Sequence, residues 1–355
     1  MRMNKRLLTA LAMFLLLAAE VGAEFWGVEK AKAAHYGKVW EAELPGFTRQ
    51  AYRDAVARLF TAFEESTGKR LVPGAWGRAG IKIDTNSGAG LSTPPALTEA
   101  VVEALVARGF ERGRLLILDA RESALREGGY LPPLAARVED PQFAGVPVGA
   151  LDSGRFYSDR WFYDNPVPPE FTTAIGREML RLDADISESE ARRSLLPAVL
   201  LTDMDFWINL PMVTDHPALG LNGGMVNATL WNVGNRQRFF MSPANAPVAV
   251  AEIAGIPEFQ DTWALTLMTL ERYQFVGGPG FNSFYTVTEP LLWLSADPVM
   301  LDALILERVN KERGQRGFSS LGGWVPYLEF SAELGLGYGD PRRVRLQRVG
   351  REQEG

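Results

Sequence analysis

The segment running from Gly80 to Asp119 constrains the fold more than any other part of the chain. Gly80-Ile81-Lys82-Ile83-Asp84-Thr85 alternates apolar and polar residues with the period of a strand. A loop rich in Gly, Ser and Pro follows from Asn86 to Pro95. A helix is predicted over 96–108 with Gly109 as its stop, and Leu115-Leu116-Ile117-Leu118 reads as a buried strand ending in Asp119. Strand, helix and strand in that order form a βαβ unit, whose strands lie parallel with a right-handed crossover. Further elements repeat the alternation. Thr48 caps a helix whose apolar positions Tyr52, Val56, Leu59, Phe60 and Phe63 share one face, with Gly68 at its end. A helix is predicted over 247–254, strands over 263–270 and 291–294, and a helix over 297–312 opened by Asp297-Pro298. Apolar runs at 198–202 and 206–210 complete the set. The expectation is an α/β fold in three layers, a mostly parallel sheet with helices on both faces. Residues 24–44 show no clean period and read as irregular. Pro, Gly and aromatics from 128 onwards predict a long irregular insertion near 128–195 within a single domain spanning 24–355.

The first 23 residues are set apart. Arg2, Lys5 and Arg6 precede an uncharged run from Leu7 to Ala19, which is followed by Glu20 and the small-residue ending Val21-Gly22-Ala23, the layout of a secretory signal peptide cleaved near Ala23. The run is shorter than the roughly 20 residues a spanning helix needs, so no stable membrane span is expected after cleavage and the mature chain is exported, periplasmic or extracellular. Losing this segment, whose net charge is +2, takes the formal charge from −6 to −8. Such an acidic chain repels phosphate backbones, and nucleic acid is not an expected partner. Arg342, Arg343, Arg345 and Arg348 form a basic tail that reads as a solvated strand edge. With no cysteine, the chain offers no thiolate for an iron–sulfur cluster or zinc and forms no disulfide. The cofactor, if there is one, is not legible.

Candidate site residues gather where strands meet polar loops. Asp205-Phe206-Trp207-Ile208-Asn209-Leu210-Pro211 runs into Asp215-His216 and then Gly224-Met225-Val226-Asn227, the arrangement by which α/β proteins build sites at strand carboxyl ends. His216 is one of two histidines and a candidate acid–base group, with Asp215, Asp203 or Asp205 to orient its second nitrogen. Asp119 is either a strand-end catalytic carboxylate or the cap of a helix starting at Arg121. Lys82 and Asp84 share a strand face, either as a buried catalytic pair or as a surface pair on an edge strand. Asn86 and Thr93 bound a loop suited to an anion, and Asn209 and Asn227 are candidate ligand-orienting amides. Asp297 is expected to cap its helix and Asp302 to lie at the surface. A divalent metal on His216 with Asp119, Asp203 or Asp215 is a further reading, although no tight ligand spacing marks such a site.

In order along the chain come the Lys82–Asn86 strand end, Ser92-Thr93-Pro94, Gly109 to Asp119, Ile208-Asn209-Leu210-Pro211, His216, Asn227, Leu294-Ser295-Ala296-Asp297-Pro298 and Ala332-Glu333-Leu334-Gly335-Leu336-Gly337. This ordered set resembles the domain-of-unknown-function 362 family, some members of which carry ferredoxin-type iron–sulfur segments. The family pattern places lysines shortly before the histidine and directly before the asparagine. Thr214 and Val226 stand there in this chain, and the redox cysteines are missing. The resemblance therefore implies the fold more than an activity. Three functions follow as expectations. In the first, a small polar or anionic ligand binds in a cleft around Asp119, His216 and Asn227, with catalysis by His216, Asp119 and Lys82. In the second, a non-enzymatic exported protein meets a partner through an apolar patch at 156–162. The third is a metal-dependent hydrolase-like site at His216.

Overall fold

The computed structural model describes residues 34–134, 140–167, 192–242, 244–322 and 325–350. The expected signal segment, 1–23, lies outside the described residues. The chain divides into two units, Met1–Tyr36 and Gly37–Gly355, and the fold is that of the second.

A nine-stranded sheet forms its middle layer. In spatial order it comprises β15 (Arg345–Arg348), β1 (Lys38–Glu43), β14 (Leu291–Ser295), β11 (Trp263–Thr269), β8 (Phe206–Leu210), β2 (Ala79–Ile83), β3 (Leu115–Asp119), β5 (Val146–Ala150) and β4 (Gln142–Phe143). The run β11, β8, β2, β3, β5 is parallel throughout, while β14 and β4 pair antiparallel with their neighbours. The expected three-layer, mostly parallel α/β architecture is what the chain forms. The short strands β6 (Tyr157–Asp164), β7 (Arg193–Pro197), β9 (Thr214–His216), β10 (Gly220–Asn222), β12 (Tyr273–Gln274) and β13 (Thr286–Val287) make three two-stranded ribbons.

Alternation along the strands divides the core in two. Ile81, Ile83, Ile117, Ile208, Leu267 and Leu294 face α1 (Arg49–Thr67) and α2 (Pro95–Val106). Leu116, Leu118, Trp207, Met268 and Trp293 face the other layer. That layer holds α4 (Ala198–Thr202), α5 (Gly224–Ala228), α6 (Asn245–Ala254), α7 (Pro257–Thr262), α8 (Pro298–Gln315) and α9 (Pro326–Glu333), while the short α3 (Glu122–Glu127) follows β3. Helix α1 starts as its sequence dictates: the Thr48 hydroxyl accepts the Ala51 N–H at 3.2 Å, and Gly68 closes the helix at φ 72°. The five apolar positions expected on one face are all fully buried. The βαβ unit β2-α2-β3 is parallel as expected.

Two expectations need correction, and one unassigned run is resolved. Residues 24–44 are not irregular throughout, because β1 lies within them. Its Val39, Trp40, Glu41 and Ala42 are all buried, and a strand covered on both faces loses its alternation. The run 198–202, which its sequence leaves open between strand and helix, is helix: four apolar residues and a threonine alone do not separate the two. The insertion near 128–195 is irregular only in part: β5 leaves it to pair with β3, and residues 135–139 and 168–191 lie outside the described residues.

Packing between β2 and the second layer is tight at Gly80. A Cβ there would stand 2.8 Å from Met204 Sδ and 2.9 Å from Trp207 Cβ. Gly80→Ala is expected to destabilise the protein by about 1–3 kcal/mol through overpacking, read as a lowered urea midpoint at unchanged slope.

Candidate functional site

Register assembles the centre of the molecule. Lys82 pairs with Asn209 across β2 and β8, Asn209 with Thr266 across β8 and β11, and Thr266 with Ser295 across β11 and β14. In-register neighbours point to the same face, so four polar side chains cross an otherwise apolar sheet in a row. Helix α5 lies over this row and bonds to it. Asn227 Oδ1 accepts from Lys82 Nζ at 2.7 Å and Asn227 Nδ2 donates to Asn209 Oδ1 at 2.8 Å. Asn209 Nδ2 donates to the Gly224 carbonyl at 2.8 Å. Asp302 of α8 holds the start of α5, accepting the Gly224 and Met225 N–H groups at 2.6 and 3.0 Å and the Tyr327 hydroxyl at 3.0 Å. Gly224 carries no side chain because a Cβ would meet Asp302 Oδ1 at 3.2 Å and Thr266 at 3.3 Å.

Lys82 and Asp119 are fully buried and form an ion pair at 2.7 Å. The ammonium has three donors, and all are used: Asp119 Oδ1, Asn227 Oδ1 and the Ile83 carbonyl each accept at 2.7 Å. Asp119 is equally committed. Its Oδ1 also accepts the Ala120 N–H, and its Oδ2 accepts both the Thr85 N–H and the Thr85 hydroxyl at 2.7 and 2.6 Å. Asp119 does not cap α3, where Asp152 accepts the Glu122 N–H instead. The edge-strand pairing of Lys82 with Asp84 is also corrected: β2 is central, flanked by β8 and β3, and the lysine pairs with Asp119. Asp84 is buried beside them and accepts from Asn86. Burial and the neighbouring Asp119 charge push its carboxyl above the usual range, while Lys82 opposes them.

Thr93 is spent on the scaffold. Its hydroxyl donates to the Leu210 carbonyl at 2.7 Å and accepts the Asp84 N–H at 2.8 Å, which ties β2 to β8. Asn209 is committed inside the row, as Asn227 is. Asn86 differs: it is half-buried, its amide nitrogen reaches Asp84 at 3.1 Å and Asp119 at 3.5 Å, and its side-chain oxygen accepts no hydrogen bond among the described residues. Asp297 caps α8 as expected, through the Met300 N–H at 2.9 Å. Asp302 is not at the surface but fully buried, and burial pushes it up to about 6 against its three donors.

His216 is not joined to this network by any hydrogen bond. Its Nδ1 accepts the Ala218 N–H at 3.1 Å, which places the proton of the neutral ring on Nε2. None of the expected carboxylates orients it. Asp205 accepts the Gly74, Trp76 and Arg78 N–H groups, Asp215 accepts those of Gly277 and Gly278, and Asp203 bonds Thr202. Among the described residues no three His, Asp or Glu side chains converge on a point that would hold a metal ion. The ring instead packs near Phe240 and Trp231, with centroids 5.4 and 6.4 Å away. Trp231 in turn carries the Arg236 guanidinium over its ring at 5.4 Å, and that guanidinium lies within electrostatic reach of Asp119, Asp152 and Arg121. Arg121 donates to the Asn86 carbonyl at 3.0 Å. A rim of Asn86, Arg121, Arg236, Trp231 and His216 thus borders the saturated centre. Sequence reasoning missed Arg236 and Trp231, which sit in two short 3-10 turns, Arg236–Met241 and Leu230–Asn232, with no motif.

No protein-family model matches the chain, and no curated protein matches it. Among solved structures, a crystal structure of a protein from Thermotoga maritima matches at 13% identity with a TM-score of 0.36, covering 82% of this chain and 60% of that one. The chain thus spans about 60% of the length of that protein. The α/β fold rests on the structure of this chain itself.

Two outcomes follow from the geometry. Lys82→Met leaves the Asp119 carboxylate buried without its cation and is expected to cost about 3–5 kcal/mol in urea unfolding. Burial holds His216 down at about 4 against an ordinary 6.5, so between these values the unfolded chain binds more protons than the folded one. Its contribution, of order 3 kcal/mol, is complete above pH 6.5 and lost as the pH falls towards 4. Asp297 and Asp302, both raised to about 6, act in the opposite direction. The difference in unfolding free energy between wild type and His216→Phe across that window isolates the histidine and is expected to shrink as the pH falls.

Proposed function

We propose that the chain is an exported protein of the domain-of-unknown-function 362 type that binds a small polar or anionic molecule beside the carboxyl ends of β2, β3 and β8. Lys82 and Asp119 act in it as scaffold rather than as reacting groups. The observation that carries this reading is the contrast between centre and rim. Every donor of Lys82 and both oxygens of Asp119 are occupied, whereas Asn86 Oδ1 and His216 Nε2 make no hydrogen bond among the described residues. A lysine with three short charge-assisted bonds has no donor left for a ligand, and a carboxylate whose two oxygens already accept from Lys82, Ala120, Asn86 and Thr85 has little capacity left for one. The rim groups are the ones with valence left for a ligand. The crevice outside the carboxyl ends of parallel strands is also where α/β proteins take ligands.

The alternatives draw less support. At 156–162, Phe156, Tyr157 and Trp161 are half-buried against the core of the second layer and Phe162 carries Arg193 over its ring at 4.3 Å, so the apolar patch expected there for a protein partner is partly covered. A metal-dependent reaction at His216 lacks converging carboxylates among the described residues. Among those same residues no helix is long and apolar enough to cross a membrane.

Native mass spectrometry of protein purified from the exported fraction tests the reading. A polypeptide mass beginning at Glu24, carrying a stoichiometric small molecule that is lost in Asn86→Ala, is the expected result. A bare chain that acquires no mass from a metabolite extract would contradict ligand binding, and a mass beginning at Met1 would contradict cleavage.

A further inference from the structure

Arg236 and Arg238 lie two residues apart and have opposite surroundings. Arg238 is fully buried and its guanidinium is spent: Nη1 donates to the Asn165 and Val167 carbonyls, Nη2 to the Arg192 carbonyl and Nε to the Ser194 hydroxyl. It ties the β6–β7 ribbon to the 3-10 turn Arg236–Met241 that carries it. Arg236 is only partly exposed, yet it makes no hydrogen bond and no ion pair among the described residues, and its Nε is enclosed without an acceptor. A guanidinium drawn out of water without compensating bonds carries an unfavourable desolvation cost.

What Arg236 does have is a platform. Its carbon centre sits 5.4 Å from the centroid of Trp231, within cation–π range, and Trp231 is fixed by its own indole N–H to Asn222 Oδ1 at 2.7 Å and by stacking with Phe240 at 6.0 Å. No acceptor among the described residues takes its N–H groups, and the paired Nη groups of a guanidinium match a pair of oxygens on one carboxylate or phosphate. The neighbouring carboxylates do not take these groups. Asp119 is occupied by Lys82, Thr85 and Ala120, and Asp152 accepts the Glu122 N–H. Arg121, held to the Asn86 carbonyl, adds a second cation on the same rim. Burial lowers the Arg236 pKa while Tyr157, Asp119 and Asp152 oppose that shift, and an incoming anion would act in the same sense as they do.

We propose that Arg236, presented on Trp231 and backed by Arg121, is the anion-recognition residue of this site and takes a carboxylate or phosphate group of a small ligand. The assignment rests on the ligand-binding reading above and names the chemistry of that ligand. Lysine is not an equal substitute, because an ammonium is a point charge without the paired N–H edge.

The test titrates inorganic phosphate and, separately, malonate into the full chain at constant ionic strength maintained with chloride, read by tryptophan fluorescence and, for phosphate, by 31P line broadening. Wild type is expected to saturate with at least one of the two. Arg236→Met is expected to weaken that binding by about tenfold or more, and Arg236→Lys by less, whereas Arg342→Met in the exposed tail changes nothing. Saturation by phosphate alone or malonate alone identifies which group the site takes. Equal binding by wild type and Arg236→Met overturns the assignment. If Arg236→Met fails to fold, Arg236→Lys decides: undiminished binding overturns the assignment and weakened binding supports it. Binding of neither anion by wild type overturns the anion assignment as well. A neutral molecule found by native mass spectrometry would still sustain ligand binding, so the two failures are distinguishable.

Discussion

A lysine ammonium with no exposed surface in the middle of a sheet is tolerable only if each of its protons meets an oxygen. Lys82 meets three, from Asp119, Asn227 and the Ile83 carbonyl, and these come from three different elements. Much of the architecture around it follows. Asp119 must end β3 beside β2, so the parallel register of those strands is fixed by charge as well as by packing. Asn227 must descend from above, so α5 is pinned over the sheet, and α5 is only five residues long with little intrinsic stability. Asp302 and Asn209 complete its anchoring. Removing any one partner exposes the others to the cost of an unsatisfied buried polar group, of order 1–3 kcal/mol each and more for a charge.

This saturation divides one cluster of polar residues into groups whose bonding capacity is used and groups with some left. Polar residues at strand ends attract functional assignment because surface polarity is ordinary and buried polarity is not. Here burial and chemistry diverge. The residues most deeply buried have used their bonding capacity on each other, and the residues with capacity left, Asn86, His216 and Arg236, lie around them. The centre holds the strand ends and α5 in one arrangement, and the rim inherits its geometry from that rigidity.

Much of the fold was legible in the sequence and rather less of the site. The β2-α2-β3 unit, the Thr48 and Asp297 caps and the buried face of α1 all follow from local periodicity and capping chemistry. β1 escaped because burial on both faces erased its period, and α4 was left unassigned because four apolar residues and a threonine fit either element. Lys82, Asp119, Asn209 and Asn227 were legible as a set of polar residues at strand ends, but not their mutual bonding. That Lys82 stands beside Asn209, and Asn209 beside Thr266, depends on strand order and register, which local sequence does not encode. Asp302 was expected outside because a helix position one turn past its cap is commonly solvated; the flanking Met300, Leu301, Ala303 and Ile305 were the signal that α8 is buried there. Arg236 carried no signal, since a free guanidinium is recognised only by listing what it does not touch.

Reductive dimethylation of the folded protein, read residue by residue by mass spectrometry, addresses the central claim most directly. Lys69 and Lys311 are exposed and serve as internal references, whereas Lys82 has no exposed surface. If Lys82 is a locked structural cation, it stays unmodified while the two references react to completion, and it becomes reactive only in denaturant. Modification of Lys82 in the folded state at a rate comparable to theirs would show a free, accessible amine and contradict the account of a saturated centre.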